Sequence, residues 1–268
     1  MTLLGMSEPV FRLVVFAGAF LLFSALEALA PRRVRSQTRL ARWTTNAGLL
    51  VIATGLVRLM AFAAPFLALT AASALAIELG WGLFNVLALP FWLEVVLAIA
   101  LLDLAIWFQH YITHKVPLLW RLHRVHHADR DLDASSALRF HPVEIAFSAA
   151  YKLAAAFLIG PAILAAILFE VVLNASAIFN HANWAIPPRV DRVLRWIIVT
   201  PDMHRVHHSV HRYEHDTNFG FCLSIWDRIF RTYTADPDGG QSGMTLGLSD
   251  QQSAKTDRLG WSLIFPLR

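Results

Sequence analysis

Residues 143–180 read VEIAFSAAYKLAAAFLIGPAILAAILFEVVLNASAIFN, with Glu144, Lys152 and Glu170 as the only charges. One membrane-spanning helix needs about 20 apolar residues, so this run is too long for one span and suits two. Gly160-Pro161 stands at its middle, and proline cannot continue a helix cleanly. The stretch therefore predicts two short spans joined as a hairpin. Such a hairpin returns His181 to the side of the membrane from which His141 departs.

The rest of the chain agrees with a lipid environment. Of 268 residues, 56% are hydrophobic and 16% charged, and the mean hydropathy is +0.50. A soluble domain is about one quarter charged. The reading is an all-α integral membrane protein with about four to five transmembrane helices, forming one membrane domain. Within it, residues 1–90 would be N-terminal membrane helices, 91–235 the histidine-bearing region and 236–268 a polar, glycine-rich tail expected to be a loose loop. The net charge of +4 suits loops held on the cytoplasmic side better than a nucleic-acid footprint. No nucleic-acid partner is expected. Cys222 is the only cysteine, which excludes an internal disulfide and argues against thiolate metal sites.

Further spans are expected near 10–29, 47–66 and 91–110. Residues 9–30 lack a basic n-region and exceed the length of a signal h-region, so they read as a retained helix. Arg32, Arg33, Arg35, Arg39 and Arg42 follow it and place its far end in the cytoplasm. Arg58 within the second span must snorkel or face protein or water. Residues 67–89 contain Glu78, Gly80, Gly82 and, just beyond, Pro90. They read as an interfacial or re-entrant piece. Five spans put the arginine-rich segments near 32–42, 121–130 and 189–205 on one cytoplasmic face, which in a bacterium means the inner membrane.

All twelve histidines lie between His110 and His215. His110 and His114 are spaced i, i+4. His123, His126 and His127 are spaced i, i+3, i+4, and His204, His207 and His208 repeat that H-R-V-H-H form. Each spacing puts its rings on one stripe of a helix. Imidazole suits Fe, Zn, Cu and Ni. Eight rings are too many for one ion. With His181 there are nine, which gives two ions four or five nitrogens each and leaves room for oxygen. Asp103 precedes His110 by seven residues on the same stripe, and Asn174 precedes His181 by seven. Both are expected to support ligand histidines from behind, as carboxylates and amides commonly do. His141 is open between a capping or headgroup contact and a ligand or substrate-pocket role. His211 and His215 read as solvated or as outer partners. Residues 226–233 read as an interfacial amphipathic helix anchored by aromatics.

These motifs, in this order and spacing, resemble the fatty acid hydroxylase and sterol desaturase superfamily. The resemblance runs from about Asp103 to Tyr233. It includes Arg139-Phe-His141-Pro-Val-Glu144, His181-Ala-Asn183, Asp216-Thr-Asn218-Phe-Gly220 and Trp226-Asp227-Arg228. The resemblance implies a non-haem centre of two Fe ions at the cytoplasmic face. Its expected ligands are His110, His114, His123, His126, His127, His181, His204, His207 and His208. It implies O2 as co-substrate, a membrane lipid as substrate, and hydroxylation or desaturation of an unactivated C–H bond. Hydroxylation is the first choice, because it needs only one positioned hydrogen. No haem-binding cytochrome segment is visible in the chain, so electrons are expected from an external electron-transfer protein or reductase. The lipid and the oligomeric state stay open, as does iron against zinc. A different class, a histidine-rich membrane metal transporter or metal-binding protein, is the main alternative. It predicts ligands spread along a transmembrane path.

Overall fold

The computed structural model describes residues 2–64 and 68–268. After a two-stranded turn (β1 Thr2–Leu3, β2 Met6–Ser7), the remaining regular elements among the described residues are helices. The long helices are α1 (Glu8–Leu29), α2 (Arg39–Ala63), α5 (Phe91–Lys115), α7 (Pro142–Ile159) and α8 (Ile163–His181). Between them lie α3 (Leu69–Leu79), α4 (Leu83–Val86) and α6 (Pro117–His127). The C-terminal third adds the short helices α9 (Pro188–Leu194), α10 (Pro201–His207), α11 (Arg212–His215), α12 (Ile225–Ile229), α13 (Gly240–Gly243) and α14 (Leu259–Ile264). The ends of the expected second span and the start of the expected re-entrant piece, residues 65–67, lie outside the described residues.

Local sequence sets the boundaries. Pro9, Pro117, Pro142 and Pro201 each sit in the first turn of a helix, where a missing N–H costs nothing. α7 stops at Gly160, whose φ of 63° is a left-handed conformation that glycine adopts readily. The hairpin forms where the sequence places it.

Six helical segments are long and apolar enough to cross a membrane, against the four or five expected. This is a multi-pass membrane protein. The extra candidate is residues 69–86, and it is interrupted. α3 has eleven residues, about 16 Å of helix, well short of a hydrocarbon core about 30 Å thick. Gly80 ends it in the left-handed region. A Cβ on Gly82 would overlap the backbone of Gly160, so this segment turns at the tip of the α7–α8 hairpin. α2 and α5 both have their Arg- or His-bearing ends on the opposite side. The segment therefore starts and finishes on the same side, as a re-entrant piece does.

α1 packs on α8, and α2 on α7, with α5 against both hairpin helices. The apolar core joins Leu102 and Ile106 of α5 with Ala155 and Ala156 of α7 and Ala166 and Phe169 of α8. Small residues on the hairpin let these helices approach closely, as membrane helix packing favours.

The membrane helices are tied to the histidine-bearing cap by buried charge. Arg42 is wholly buried and binds Asp129 through two N–H groups at 2.8 Å each, with Asp133, Ser136 and the Asp131 carbonyl completing its shell. Glu27, also wholly buried, accepts from Arg39 at 2.8 Å and from the backbone N–H groups of Ala134 and Asn183. Arg139 donates to the Val125 and Thr256 carbonyls and to Asn46.

Two expectations are corrected. The tail is not a loose loop: Met244, Leu246, Leu248 and Phe265 are buried, and Gln241 donates to the Asp202 carbonyl. Leu248 and Phe265 pack against Leu49 of α2 and Val125 of α6, and Met244 and Leu246 pack against Leu132. Residues 226–233 are not an independent interfacial helix. α12 has five residues, and Asp227 is wholly buried.

Candidate metal centre

The nine histidines of the three boxes and His181 converge on the cap-side ends of α5 and α8. They form two adjacent groups. His110, His114, His123, His127 and His207 place ligand nitrogens within 4.8 Å of one another, and His126, His181, His204 and His208 do the same. Every one of the nine is buried.

The two H-R-V-H-H boxes are dealt between the groups in opposite senses. α6 gives its i, i+4 pair, His123 and His127, to the first group and the intervening His126 to the second. α10 and the residue after it give His204 and His208 to the second group and His207 to the first. Residues four apart on a helix share a face, and the residue at i+3 is rotated from it. Two such boxes facing each other therefore build two half-sites, which α5 completes with a pair and α8 with one ring.

The donor geometry fits metal ions. His126 Nε2 lies 3.0 Å from His181 Nε2, His181 Nε2 3.2 Å from His204 Nε2, and His110 Nε2 3.1 Å from His123 Nε2. With metal–nitrogen bonds of about 2.1 Å, the edges of an octahedron or tetrahedron run from about 3.0 to 3.4 Å. Both nitrogens of His114 and of His127, and His207 Nε2, are buried with no hydrogen-bond partner. A buried unpaired donor or acceptor costs about 1–3 kcal/mol. A cation held between them would give these nitrogens a partner. Burial, reinforced by the neighbouring imidazoles, holds His126, His127, His204, His207 and His208 well below the ordinary histidine range. They are neutral at pH 7, the form that ligates metal.

The outer partners orient the rings. With the proton assigned to Nδ1, His110 donates to the Phe219 carbonyl (2.7 Å), His207 to Thr217 (2.7 Å), His181 to Ala177 (2.6 Å) and His123 to Glu144 Oε1 (2.6 Å). Each bond leaves Nε2 free to face a metal. Glu144 is a site residue that spacing did not reveal: it sits one helical segment away, 21 positions along the chain. Glu144→Gln is expected to lower metal affinity about 10- to 100-fold, the usual cost of losing an outer partner, as read by metal competition with a chelator. Unchanged affinity would count against this role.

Asp103 and Asn174 are placed elsewhere. Asp103 accepts from the Cys222 and Leu223 N–H groups and from Trp226 Nε1 at 2.9 Å, not from a histidine. It fixes the loop after Gly220. Asp227 holds the same loop from the other side, accepting from Phe219 and Gly220 N–H and from Trp107 Nε1, all at 2.9 Å. Together they position the carbonyls that hold His110 and His207. Gly220 is required there, since a Cβ would sit 2.9 Å from Asp227 Oδ2. Asn174 donates to the Glu170 carbonyl one turn earlier and faces the cavity described below. His141 caps α7, its Nδ1 accepting from Val143 N–H. His211 lies outside both groups, and His215 stacks on Trp120 at 5.3 Å beside His127.

A cavity of ≈ 590 Å³ opens from His110 and His123 between α1, α2, α5, α7 and α8. Phe16, Leu50, Ile106, Phe140 and Ile178 line it. Its size is that of a small-molecule site.

The Fatty acid hydroxylase family profile matches residues 95–232, just over half the chain. The chain belongs to the fatty acid hydroxylase family. The match contains all nine clustered histidines. Among curated proteins, the chain is similar to alkylglycerol monooxygenase of Xenopus tropicalis, 31% identical over 144 residues (52% of this chain, 30% of the relative). The human alkylglycerol monooxygenase is 32% identical over 144 residues, with the same coverage. The ornithine lipid hydroxylase OlsE of Rhizobium tropici is 29% identical over 148 residues (55% of this chain, 44% of the relative). The matched region thus spans less than half the length of each of these relatives. No solved structure matches the chain.

Proposed function

We propose that this protein hydroxylates a membrane lipid with O2 at a centre of two iron ions. The division of nine buried histidines into groups of five and four, at the end of an apolar cavity, carries this reading. The family membership and the names of the lipid-oxidising relatives support it. Iron bound there would supply the reduction of O2 and the cleavage of an unactivated C–H bond. The net reaction consumes one O2, two electrons and two protons for each C–H converted to C–OH, and releases one water. The electrons come from a separate electron-transfer protein or reductase.

The chain's own residues bind, orient and exclude water. The apolar walls take an alkyl chain from the bilayer without polar contacts to satisfy. The aromatic ring of Phe140 stacks on His126 at 4.3 Å and closes one side of the site. Glu144 and the carbonyls of Thr217 and Phe219 keep the protons of their histidines on Nδ1. The arginines of residues 32–42 lie beside the histidine cap, which under the positive-inside rule supports a site on the cytoplasmic face. The gathering of all nine rings at one membrane level favours an enzyme over a transport path, whose ligands would be strung across the bilayer.

Lipid profiles of cells grown in ¹⁸O2, with and without the gene, test the reaction. The expected result is a lipid that gains one labelled oxygen only when the gene is present. An unchanged lipid profile, or oxygen that derives from water, would overturn it.

A further inference from the structure

We infer that the cavity binds a lipid with an anionic head group, held at the end away from the histidines, with its alkyl chain running toward the two nitrogen clusters. The catalytic consequence rests on the function proposed above; the binding does not.

Three cationic side chains line this cavity: Arg12 of α1, Arg58 of α2 and Lys152 of α7. The one acid on its wall, Glu144, is engaged by His123. Behind the wall, Glu170 of α8 pairs with Arg12 at 2.8 Å and with Lys152 at 3.2 Å, and Glu8 pairs with Arg12 at 3.0 Å. Those pairs tie α1, α7 and α8 together, and they account for Arg12 and Lys152 as structure. They do not account for Arg58. Among the described residues no carboxylate lies within ion-pair distance of it, and it faces the cavity from the fourth wall. Arg58 is exposed and stands five residues before the end of α2, where its guanidinium is open to a head group entering the cavity. A guanidinium free to form charge-assisted hydrogen bonds, flanked by two further cations, favours a carboxylate or phosphate.

Distance then orients the lipid. Lys152, which shares the cavity wall with Arg58, follows Glu144 by eight residues on α7, about 12 Å along the helix from the partner of His123. An extended chain advances about 1.2 Å per bond. The carbon that reaches the site is therefore roughly ten bonds from the head group.

Equilibrium binding of three single-chain probes to the purified full chain tests this: palmitate, hexadecyl phosphate and hexadecanol. At least one anion is expected to bind about tenfold or more tightly than the alcohol, the scale of one charge-assisted hydrogen bond. Whichever anion does so identifies the head group as carboxylate or phosphate. Arg58→Gln breaks no ion pair, so it should fold. It is expected to remove most of that preference while leaving hexadecanol binding unchanged. Equal binding of both anions and the alcohol by the wild type would overturn the inference, as would a full anion preference in Arg58→Gln. The same measurement on His126→Ala separates the two proposals. Anion preference retained there, with no labelled product from the wild type, sinks the catalytic reading alone. Labelled product without anion preference sinks this one alone.

Discussion

His126→Ala and His207→Ala each abolish lipid oxidation while the protein still inserts in the membrane. These two residues are the i+3 members of their boxes, and each crosses to the group that the rest of its box does not serve. His126 leaves three rings in the smaller group, and His207 leaves four in the larger. A single substitution thus removes a ligand from one half-site without touching the other. Loss of an outer partner alone costs about 10- to 100-fold, and loss of a ligand is expected to exceed the upper figure in product formation. Both rings lie on the short cap helices α6 and α10, outside the apolar core that joins α5, α7 and α8. Detergent-solubilised protein should therefore still elute as a single species. Near-normal turnover in either variant would show that the ligand set is wrong.

Arg42→Ala prevents accumulation of folded protein. Arg42 is wholly buried at the start of α2, where it neutralises Asp129 and Asp133 and satisfies the Asp131 carbonyl. Removing one partner of a buried ion pair strands the other charge, at a cost of about 3–5 kcal/mol. Here Asp129 loses its ion-pair partner and Asp133 keeps only Arg35 at 4.0 Å, in the loop that directly follows His127. That cost is a large share of the about 5–15 kcal/mol that separates folded from unfolded chains. Arg42→Lys keeps the charge but loses the two-pronged contact with Asp129, so it should be intermediate. Fluorescence-detected size exclusion and thermal unfolding in detergent report both variants. An alanine variant with a wild-type melting point would show that the cap does not depend on this cluster.

The residues that were legible in the sequence are those whose meaning is local. The i, i+3, i+4 spacings of the boxes follow from helix geometry, and α6 and α10 realise them. Gly160-Pro161 marks the hairpin because glycine takes the left-handed turn that ends α7 and proline cannot continue a helix. Family membership, read from the order of the boxes, is confirmed by the profile match. What stayed hidden depends on contacts between distant segments. Asp103 lies on the His110 stripe, yet its carboxylate serves residues 222–226, some 120 positions later. Arg42 reads as a topology marker among five basic residues, and only the fold shows it enclosed by residues 129–136. Glu144 is one carboxylate in an apolar run until α7 is docked on α6. The tail looks like a loop because its glycines are conspicuous, and its buried residues find their partners on distant segments: Met244 and Leu246 on Leu132, Leu248 and Phe265 against Leu49 and Val125.

Metal analysis of the chain purified without oxygen tests the central claim most directly. Two ions per wild-type chain, and fewer in His126→Ala and His207→Ala, is the predicted result. One ion or none in the wild type would contradict the division of nine histidines into two metal sites.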